Sequence, residues 1–328
     1  MRIIRSISGA LVGVAIAMAG AHAMAQAYPT KPVHIIVPFP AGGGNDVTAR
    51  LLGAKLSEVL GQPFLVDNRS GAGGSIGIQA AAKANPDGYT LLVVPQNLVI
   101  NPSLLDRAGF DPLKDFAPIA VLVDSPVMIG VHTSVPATNL KELIAHAKAT
   151  DGKLNYTSCG TGSPQHLAGE VMKSLAGVAM QHIPYGGCAP AVADAAAGRV
   201  EVLFATISHI VPHHKAGRMR GLATTGLTRS TLAPEFPTAI EAGVPNFDFN
   251  VWFGLLAPAK TPREIVLKVN AEVNKALADP AIKMQFEKLS LVPRGGTPEE
   301  FSRIIEAEFT RFAKLIRDVG IKPDLAGK

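Results

Sequence analysis

The 328-residue sequence is poor in cysteine, in aromatic residues and in charge. It holds two cysteines, one tryptophan and four tyrosines, with 17% charged against 47% hydrophobic residues. This composition excludes a disulfide-dense small domain, a disordered chain, a coiled coil and a collagen-like fibre. The length is instead typical of a globular protein of two domains with a large core.

Positive charge is also scarce. The formal net charge is only +5 at pH 7, and Arg2 and Arg5 at the N-terminus supply two of the positive charges. The sequence has no basic run and no interleaving of basic with aromatic residues, so no nucleic-acid partner is expected. The nine histidines show no zinc-ligand spacing, so neither a metal nor a cofactor is expected. A small positive excess suits an anionic small molecule.

The sequence lacks a hydrophobic run long enough to span a bilayer. The apolar stretch at residues 10–20 (ALVGVAIAMAG) follows two arginines and precedes small-x-small sites, and it falls short of the ~20 residues that a membrane helix needs. This pattern is typical of a secretory signal peptide. We therefore predict a signal peptide over residues 1–25, cleaved between Ala23 and Ala27, and a periplasmic protein. An uncleaved anchor is the weaker alternative.

Two blocks of alternating strands and helices follow. In the first, residues 31–39, 64–66 and 89–94 predict strands, and helices are predicted after Gly44 and over residues 75–84. In the second, the predicted strands cover residues 154–158, 181–184 and 200–205, and the predicted helices cover 139–149, 164–176 and 189–197. Two later helices are predicted over residues 262–278 and 298–319. Such β-α-β order predicts parallel sheets with right-handed crossovers.

Glycine-rich turns join strand to helix at three places, which we interpret as a candidate anion site. They read AGGGND at residues 41–46, SCGTGSPQH at 158–166 and YGGCAP at 185–190. Glycine lets the backbone approach a ligand, and a helix N-terminus offers unpaired N–H groups and a positive dipole end. Three such turns favour an anion site over simple tight turns. None carries the Lys-Ser/Thr of a P-loop, and the first lacks the full dinucleotide fingerprint.

Two nucleophile hypotheses remain open beside the anion site. The string GGSIG at residues 73–77 matches the G-x-S-x-G pattern around Ser75, although residues 68–72 separate it from the preceding strand. Cys159 and Cys188 each follow a predicted strand of the second block. Neighbouring strands lie about 4.8 Å apart, so these cysteines form either a disulfide or two free thiols. A Cys159–His166 pair is the sharper alternative, and His166 faces either a ligand or solvent.

Long stretches of the chain resemble the Bug family, the substrate-binding proteins of tripartite tricarboxylate transporters. The resemblance covers the whole chain from Tyr28. It rests on PTKPVHIIVPFPAGGGNDVTARLLGAKL, VDNRSGAGGSIG, NPDGYTLL, YTSCGTGSPQHLAGE, HIPYGGCAPAVADAAAGRVEVLF and WFGLLAPAKTP. It implies an α/β periplasmic binding protein of the Venus-flytrap, type II-like kind, in which each domain is a mainly parallel sheet flanked by helices. It also implies that one domain comprises residues 28–126 plus 251–328 and the other 127–250, joined by strands near 121–131 and 247–256.

In that family a small carboxylate binds between the domains, so the resemblance also implies a set of site residues. Asp46 is expected to cap a helix rather than to meet a ligand ammonium group. Gly186 stands where the family often has lysine, and Gln96, Asn97 and Thr206 are specificity candidates, unless Gln96 faces solvent. The implied ligand-binding residues are Phe39, Ala41, Gly42, Gly43, Gly44, Asn45, Asp46, Gln96, Asn97, Gly160, Thr161, Gly162, Ser163, His166, Tyr185, Gly186, Gly187 and Thr206.

The sequence thus predicts a periplasmic receptor rather than an enzyme. The expected ligand is a small organic anion: a mono- or dicarboxylate, an aromatic carboxylate or an amino acid. The expected partners are the membrane components of a tripartite transporter, and the receptor is expected to be a monomer without a cofactor. The alternatives are an exported hydrolase that uses Ser75 or Cys159, and a ligand sensor for a membrane kinase.

Overall fold

The computed structural model describes residues 28–105 and 107–321. The signal peptide predicted over residues 1–25, with its cleavage region, lies outside these residues. None of the helices in the described part is both long enough and apolar enough to cross a membrane.

The first block forms a parallel β-α-β-α-β unit, as predicted. Its strands are β1 (Val33–Val37), β2 (Phe64–Asn68) and β3 (Thr90–Pro95), which pair in the order β2-β1-β3. The crossovers contain α1 (Gly44–Leu60) and α2 (Ser75–Ala82). β1 and β3 are almost wholly buried, as parallel strands covered by helices on both faces usually are.

Helix α1 packs one face on this sheet. The buried face includes Thr48, Leu52 and Leu56 at helical spacing. Val59, one residue before the helix ends at Leu60, is 46% exposed. The end is set by Gly61, whose left-handed conformation (φ 71°) closes the last turn with a hydrogen bond to the Ser57 carbonyl.

One long strand is shared by two sheets. After α3 (Asn97–Leu104), β4 (Phe116–His132) pairs up to Pro126 with β9 (Asn250–Pro258) in the first sheet. From Val127 onward it pairs with strands of the second sheet. β9 lies between β3 and β4, so a C-terminal strand completes the first sheet from the inside.

The second sheet repeats the parallel design on the other part of β4. Its parallel strands β5 (Asn155–Thr157), β6 (Gln181–Ile183) and β7 (Val202–Thr206) stand in the order β6-β5-β7, and β8 (Met219–Thr224) pairs with β4. The helices of this region are α4 (Leu140–Ala149), α5 (Pro164–Ala176), α6 (Cys188–Ala196) and α7 (Ile207–Lys215).

The C-terminal part packs back onto the first sheet. It contains α8 (Arg263–Ala278), α9 (Pro280–Lys288), β10 (Val292–Gly295) and α10 (Pro298–Val319), with β10 paired to β4. Helix α10 begins at a capping box formed by Thr297 and Glu300. One large hydrophobic core runs through both sheets, and a smaller cluster including Met128, Ile210 and Phe236 lies in the second. The sequence reading missed α3, α7, α9, β8 and β10.

Candidate functional site

The glycine-rich turns lie at the carboxyl edges of the two parallel units. We call residues 38–43, after β1, the first loop; residues 158–163, after β5, the second loop; and residues 184–187, after β6, the third loop. Ligands of open α/β sheets bind outside the carboxyl ends of the strands. The three loops therefore stand where a ligand of this fold is expected.

The first loop is exposed to solvent but tied down at its base by Asp46. Gly42 has a positive φ of 86°, and its N–H donates to the Asp46 carboxylate at 2.9 Å. Arg50 and Asn68 donate to the same carboxylate, at 2.9 to 3.0 Å. Asn68 also donates to the carbonyl of Phe39, which is half-buried at the start of the loop. Residues 41–44 remain exposed in front of this brace.

The structure corrects the expectation that Asp46 caps helix α1. Gly43 is the N-cap of α1, and Asp46 lies inside the first turn, where its carboxylate reaches back to the loop. Burial alone would raise the pKa of Asp46, but the hydrogen bonds from Arg50, Gly42 and Asn68 hold that pKa below its usual range. Both carboxylate oxygens are occupied, so Asp46 braces the loop.

Two backbone N–H groups at the start of α1 take no part in this brace. In the described part of the chain we find no hydrogen bond from the N–H groups of Gly43 or Gly44 to another group. A Cβ placed on Gly43 would meet only the Pro40 carbonyl, at 3.7 Å, and one on Gly44 would lie 3.2 Å from the ring of Phe253. Exposed N–H groups at the positive end of a helix are suited to an anion.

Two amide side chains follow β3 at the same edge of the sheet. Gln96 is only 1% exposed, so it does not face solvent. Its Nε2 donates to the Asn250 carbonyl at 2.8 Å and to the Glu308 carboxylate at 3.1 Å. Asn97 is buried too, with its Nδ2 3.4 Å from the carbonyl of Gly73. Gln96 thus lies at the junction of β3, β9 and α10.

The second loop is braced by its own hydrogen bonds. The N–H of Gly160 donates to Ser158 Oγ at 3.3 Å, that of Gly162 to His166 Nδ1 at 3.1 Å, and that of Ser163 to the Gly160 carbonyl at 3.1 Å. Ser163 Oγ accepts the His166 N–H and caps α5. Thr161 lies half-buried among them. Three of the six backbone N–H groups of this loop are therefore already used within the chain.

His166 does not face solvent. It is 5% exposed and its ring stacks on His182, with 4.0 Å between the centroids. Burial, reinforced by the Lys173 ammonium group, lowers the pKa of His166 to about 4. The ring is neutral at pH 7, so its 3.9 Å approach to Glu170 is not an ion pair. It acts as an acceptor that shapes the second loop.

A disulfide ties the second loop to the residues behind the third. Cys159 and Cys188 are bonded, with their Cα atoms 4.0 Å apart. Beside them, a Cβ on Gly160 would lie 2.7 Å from the Tyr185 carbonyl, so the two backbones touch. The Tyr185 hydroxyl donates to Asp194 at 2.7 Å. The exposed Gly186 and the adjacent Gly187 leave open space in front of this bridge.

The carboxyl edges of the two parallel units come into contact where the end of α3 approaches the second loop. A Cβ on Gly162, where φ is +73°, would overlap the side chain of Leu104 at the end of α3. Thr206 ends β7 of the second sheet. Its Oγ1 lies 2.7 Å from His209 Nδ1 and 2.9 Å from Ser208 Oγ. A helix that follows β3 in one sheet therefore touches the loop that follows β5 in the other.

The nucleophile hypotheses find no support in this arrangement. Ser75 is buried and its Oγ accepts from Asn101 Nδ2 at 2.9 Å, with no histidine of the described residues in hydrogen-bond contact. It follows the 3-10 turn Ala72–Gly74 rather than a strand, so the elbow geometry is absent. Cys159 carries no thiol. Residues 28–105 and 107–321 also hold no cluster of three or more side chains that could bind a metal ion.

A family model described as "Tripartite tricarboxylate transporter family receptor" matches residues 48–321. The chain belongs to this receptor family. It is 36% identical over 317 residues to Protein BugT of Bordetella pertussis, covering 95% of this chain and 97% of that one. Two solved structures of Rhodopseudomonas palustris proteins are similar. Rpa4515 with adipate is 36% identical with a TM-score of 0.83, covering 90% of this chain and all of that one. MatC with bound malate is 30% identical with a TM-score of 0.78, covering 88% and 100%.

Membership in the receptor family tests the sequence-based predictions of family, fold and function. The predicted family, the α/β binding-protein fold and the receptor function are confirmed, and the chain is a solute receptor of the periplasmic binding protein type rather than a hydrolase. The sequence reading missed Leu104, Asn250, Phe253 and Glu308. Three of these come from the C-terminal part, and only the sheet order brings them to the site.

Proposed function

We propose that this receptor binds a small organic carboxylate in a cleft between two domains, with the carboxylate at the N–H groups of Gly43 and Gly44. The observation that carries the proposal is the first loop: two exposed glycine N–H groups without a partner in the described chain, at the positive end of α1 and beside Phe253. The ligands of the two similar structures, adipate and malate, are both carboxylates.

The domain division follows the change of partners along β4. We assign residues 28–126 and 251–328 to one domain and residues 127–250 to the other. Pairing supports this division, because Pro126 is the last residue of β4 paired with β9 and Val127 is the first paired with β7. The chain returns at Phe249, whose N–H donates to the Thr225 carbonyl, and Asn250, where β9 begins.

The proposed site combines contact residues with bracing residues. The contact residues are those of the first loop with Gly44 and Asn45, residues 160–163, residues 185–187, and the buried polar groups Gln96, Asn97 and Thr206. Asp46 and His166 belong to the site as braces, because each accepts a hydrogen bond from a backbone N–H of the loop that it supports.

The biological setting completes the proposal. We propose a signal peptide over residues 1–25 that is removed between Ala23 and Ala27, a mature monomer, and transfer of the ligand to membrane components of a tripartite transporter. The ligand classes to be tested are mono- and dicarboxylates, aromatic carboxylates and amino acids.

A ligand screen on refolded, ligand-free mature protein tests the proposal. We expect a carboxylate to raise the melting temperature, since a ligand at a hundred times its Kd adds about 2.7 kcal/mol to the free energy of unfolding. Titration calorimetry should then give one ligand per chain, and chromatography should recover that ligand unchanged. A folded protein that responds to no carboxylate, or that converts one, would contradict the proposal.

A further inference from the structure

Buried oxygen atoms without a partner are concentrated where the two sheets meet. Among the described residues, six buried side-chain atoms have no hydrogen-bond partner in the chain, and His213 Nδ1 is the one that lies elsewhere, in α7. Leaving such an atom unpaired costs about 1–3 kcal/mol. A cluster of them therefore points to a partner from outside the chain. The five are Asn45 Oδ1, Gln96 Oε1, Ser125 Oγ, Thr224 Oγ1 and Asn250 Oδ1.

Each of these five residues lies next to a strand end or at the change of partners. Asn45 is in the first turn of α1, and its Nδ2 donates to the Val93 carbonyl of β3. Gln96 follows β3, and Asn250 begins β9. Ser125 directly precedes Pro126, while Thr224 ends β8 opposite Met128.

Gln96 is held with its oxygen as a fixed acceptor. Its Nε2 contacts the Asn250 carbonyl and both oxygens of the Glu308 carboxyl group. Exchanging the amide oxygen and nitrogen would place oxygen 2.8 Å from the Asn250 carbonyl oxygen, which cannot donate, so this carbonyl determines the orientation. The remaining Oε1 is buried, can only accept, and has no donor in the described chain.

Asn45 repeats this arrangement beside the first loop. It is 5% exposed, its Nδ2 is committed to a backbone carbonyl at 2.9 Å, and its Oδ1 is left without a donor. It directly follows Gly44, whose N–H group belongs to the proposed carboxylate site. The same edge therefore offers backbone donors at one point and side-chain acceptors next to it.

We propose that the ligand carries a hydrogen-bond donor, a hydroxyl or an ammonium group, in addition to its carboxylate, and that Gln96 Oε1 accepts from this donor. The proposal rests on the function proposed above. A carboxylate brings only acceptors, so it pairs with the N–H groups of Gly43 and Gly44 but not with amide oxygens. The ligand class is thereby narrowed to hydroxy- and aminocarboxylates, and Gln96 becomes a specificity-determining residue.

Sets of ligands that differ only in a hydroxyl or ammonium group test the proposed donor on the wild-type protein. Calorimetry on the wild-type protein compares succinate with malate and aspartate, glutarate with 2-hydroxyglutarate and glutamate, adipate with 2-hydroxyadipate and 2-aminoadipate, and benzoate with 4-hydroxybenzoate. In the series that binds, we expect a member with a donor to bind on the order of tenfold more tightly or better than its parent, because the parent leaves the buried acceptor unpaired. The hydroxy and amino arms identify which donor is used.

A variant pair then assigns the effect to Gln96. Gln96→Leu removes the acceptor and should abolish the preference for the substituted ligand. The control Gln181→Leu makes the same change at an exposed position at the amino end of β6, on the far edge of the second sheet, and should retain the preference. Circular dichroism and thermal unfolding check each variant, and Gln96→Met replaces Gln96→Leu if the latter does not fold.

The possible results separate this inference from the function on which it rests. If no carboxylate binds, the proposed function fails and the inference fails with it. If parent acids bind as tightly as their hydroxy and amino derivatives, the receptor function stands and the inference is overturned. A preference that persists in Gln96→Leu overturns the assignment to Gln96.

Discussion

The first and second loops occupy equivalent positions, each after a parallel strand and before a helix, yet they are built differently. In the first, Asp46 secures the base and the N–H groups of Gly43 and Gly44 are left exposed. In the second, Gly160, Gly162 and Ser163 donate within the loop, and a disulfide adds a covalent tie. The first loop thus keeps backbone donors exposed, as the proposed carboxylate site requires, whereas the second loop uses several of its donors internally.

Two ionisable groups with shifted pKa values also differ between the two sheets: Glu308, which contacts Gln96 after β3, and His166, which contacts the second loop. Burial raises the pKa of Glu308 to about 7, although hydrogen bonds from Trp252 and Gln96 act in the opposite direction. On the second side, burial lowers the pKa of His166 to about 4. At neutral pH, Glu308 is therefore close to its titration point, whereas His166 stays neutral.

Replacing Gly43 of the first loop or Gly160 of the second loop by valine should give the largest difference in stability between the two loops. Gly160→Val forces a side chain into the Tyr185 carbonyl at φ +119°, so we expect a loss of about 3 kcal/mol in the free energy of unfolding together with loss of binding. Gly43→Val meets only ordinary contacts at φ −77° and should cost less than about 1 kcal/mol, while its side chain covers the donors and abolishes binding. Urea unfolding and calorimetry measure both. A folded Gly43→Val protein with wild-type affinity would refute the carboxylate assignment.

Removing the disulfide should be the next largest effect. Replacing Cys159 and Cys188 by serine opens a covalent loop with a sequence separation of 29 residues, and we expect a loss of about 2–4 kcal/mol. Affinity should fall as well, because the second and third loops are no longer held against each other. Reductant should reproduce both effects in the wild type and change nothing in the double variant. Unchanged affinity would show that the bridge stabilises the fold without shaping the site.

Lowering the pH should reduce the free energy of unfolding, because His166 is buried in its neutral form. Its pKa falls from 6.5 to about 4 on folding, so the unfolded chain takes up a proton first as the pH is lowered. Stability should therefore decrease between pH 6.5 and 4, by up to about 3 kcal/mol. His166→Gln keeps an acceptor for the Gly162 N–H and should flatten the pH dependence of unfolding, whereas the exposed His34→Gln should not. Equal slopes in both variants would exclude His166 as the cause.

Glu308 is half-buried, whereas His166 is fully buried, so solvent screening should leave Glu308 a smaller effect, of opposite sign. Its pKa rises from 4.5 to about 7 on folding, so its contribution to stability decreases as the pH rises through that interval. Trp252, the sole tryptophan, donates to the Glu308 carboxylate at 2.6 Å and should report the titration. We expect a fluorescence change with a midpoint near pH 7 that is absent in Glu308→Gln and retained in Glu306→Gln, a change at an exposed position of the same helix. A midpoint near 4.5 in the wild type would contradict the raised pKa.

Local patterns predicted much of this fold, because hydrophobic spacing and glycine turns act over a few residues. The strand before the first loop, helix α5 and the long helix α10 all lie where the sequence placed them. The insertion of β9 beside β3 is a long-range pairing that no local pattern records. For the same reason the sequence showed Gln96 after a strand but not its contact with Glu308, a residue 212 positions later. His166 on helix α5 likewise stacks on His182, which belongs to strand β6.

The position of β9 has a consequence for how the protein is made. β9 fills an inner place in the first sheet, yet it is synthesised after every strand of the second. Until residue 258 has left the ribosome, β3 and β4 lack the strand that joins them, and the first unit cannot close its core. Long-range pairing of this kind folds slowly. The order of strands along the chain thus postpones completion of the first sheet until most of the polypeptide exists.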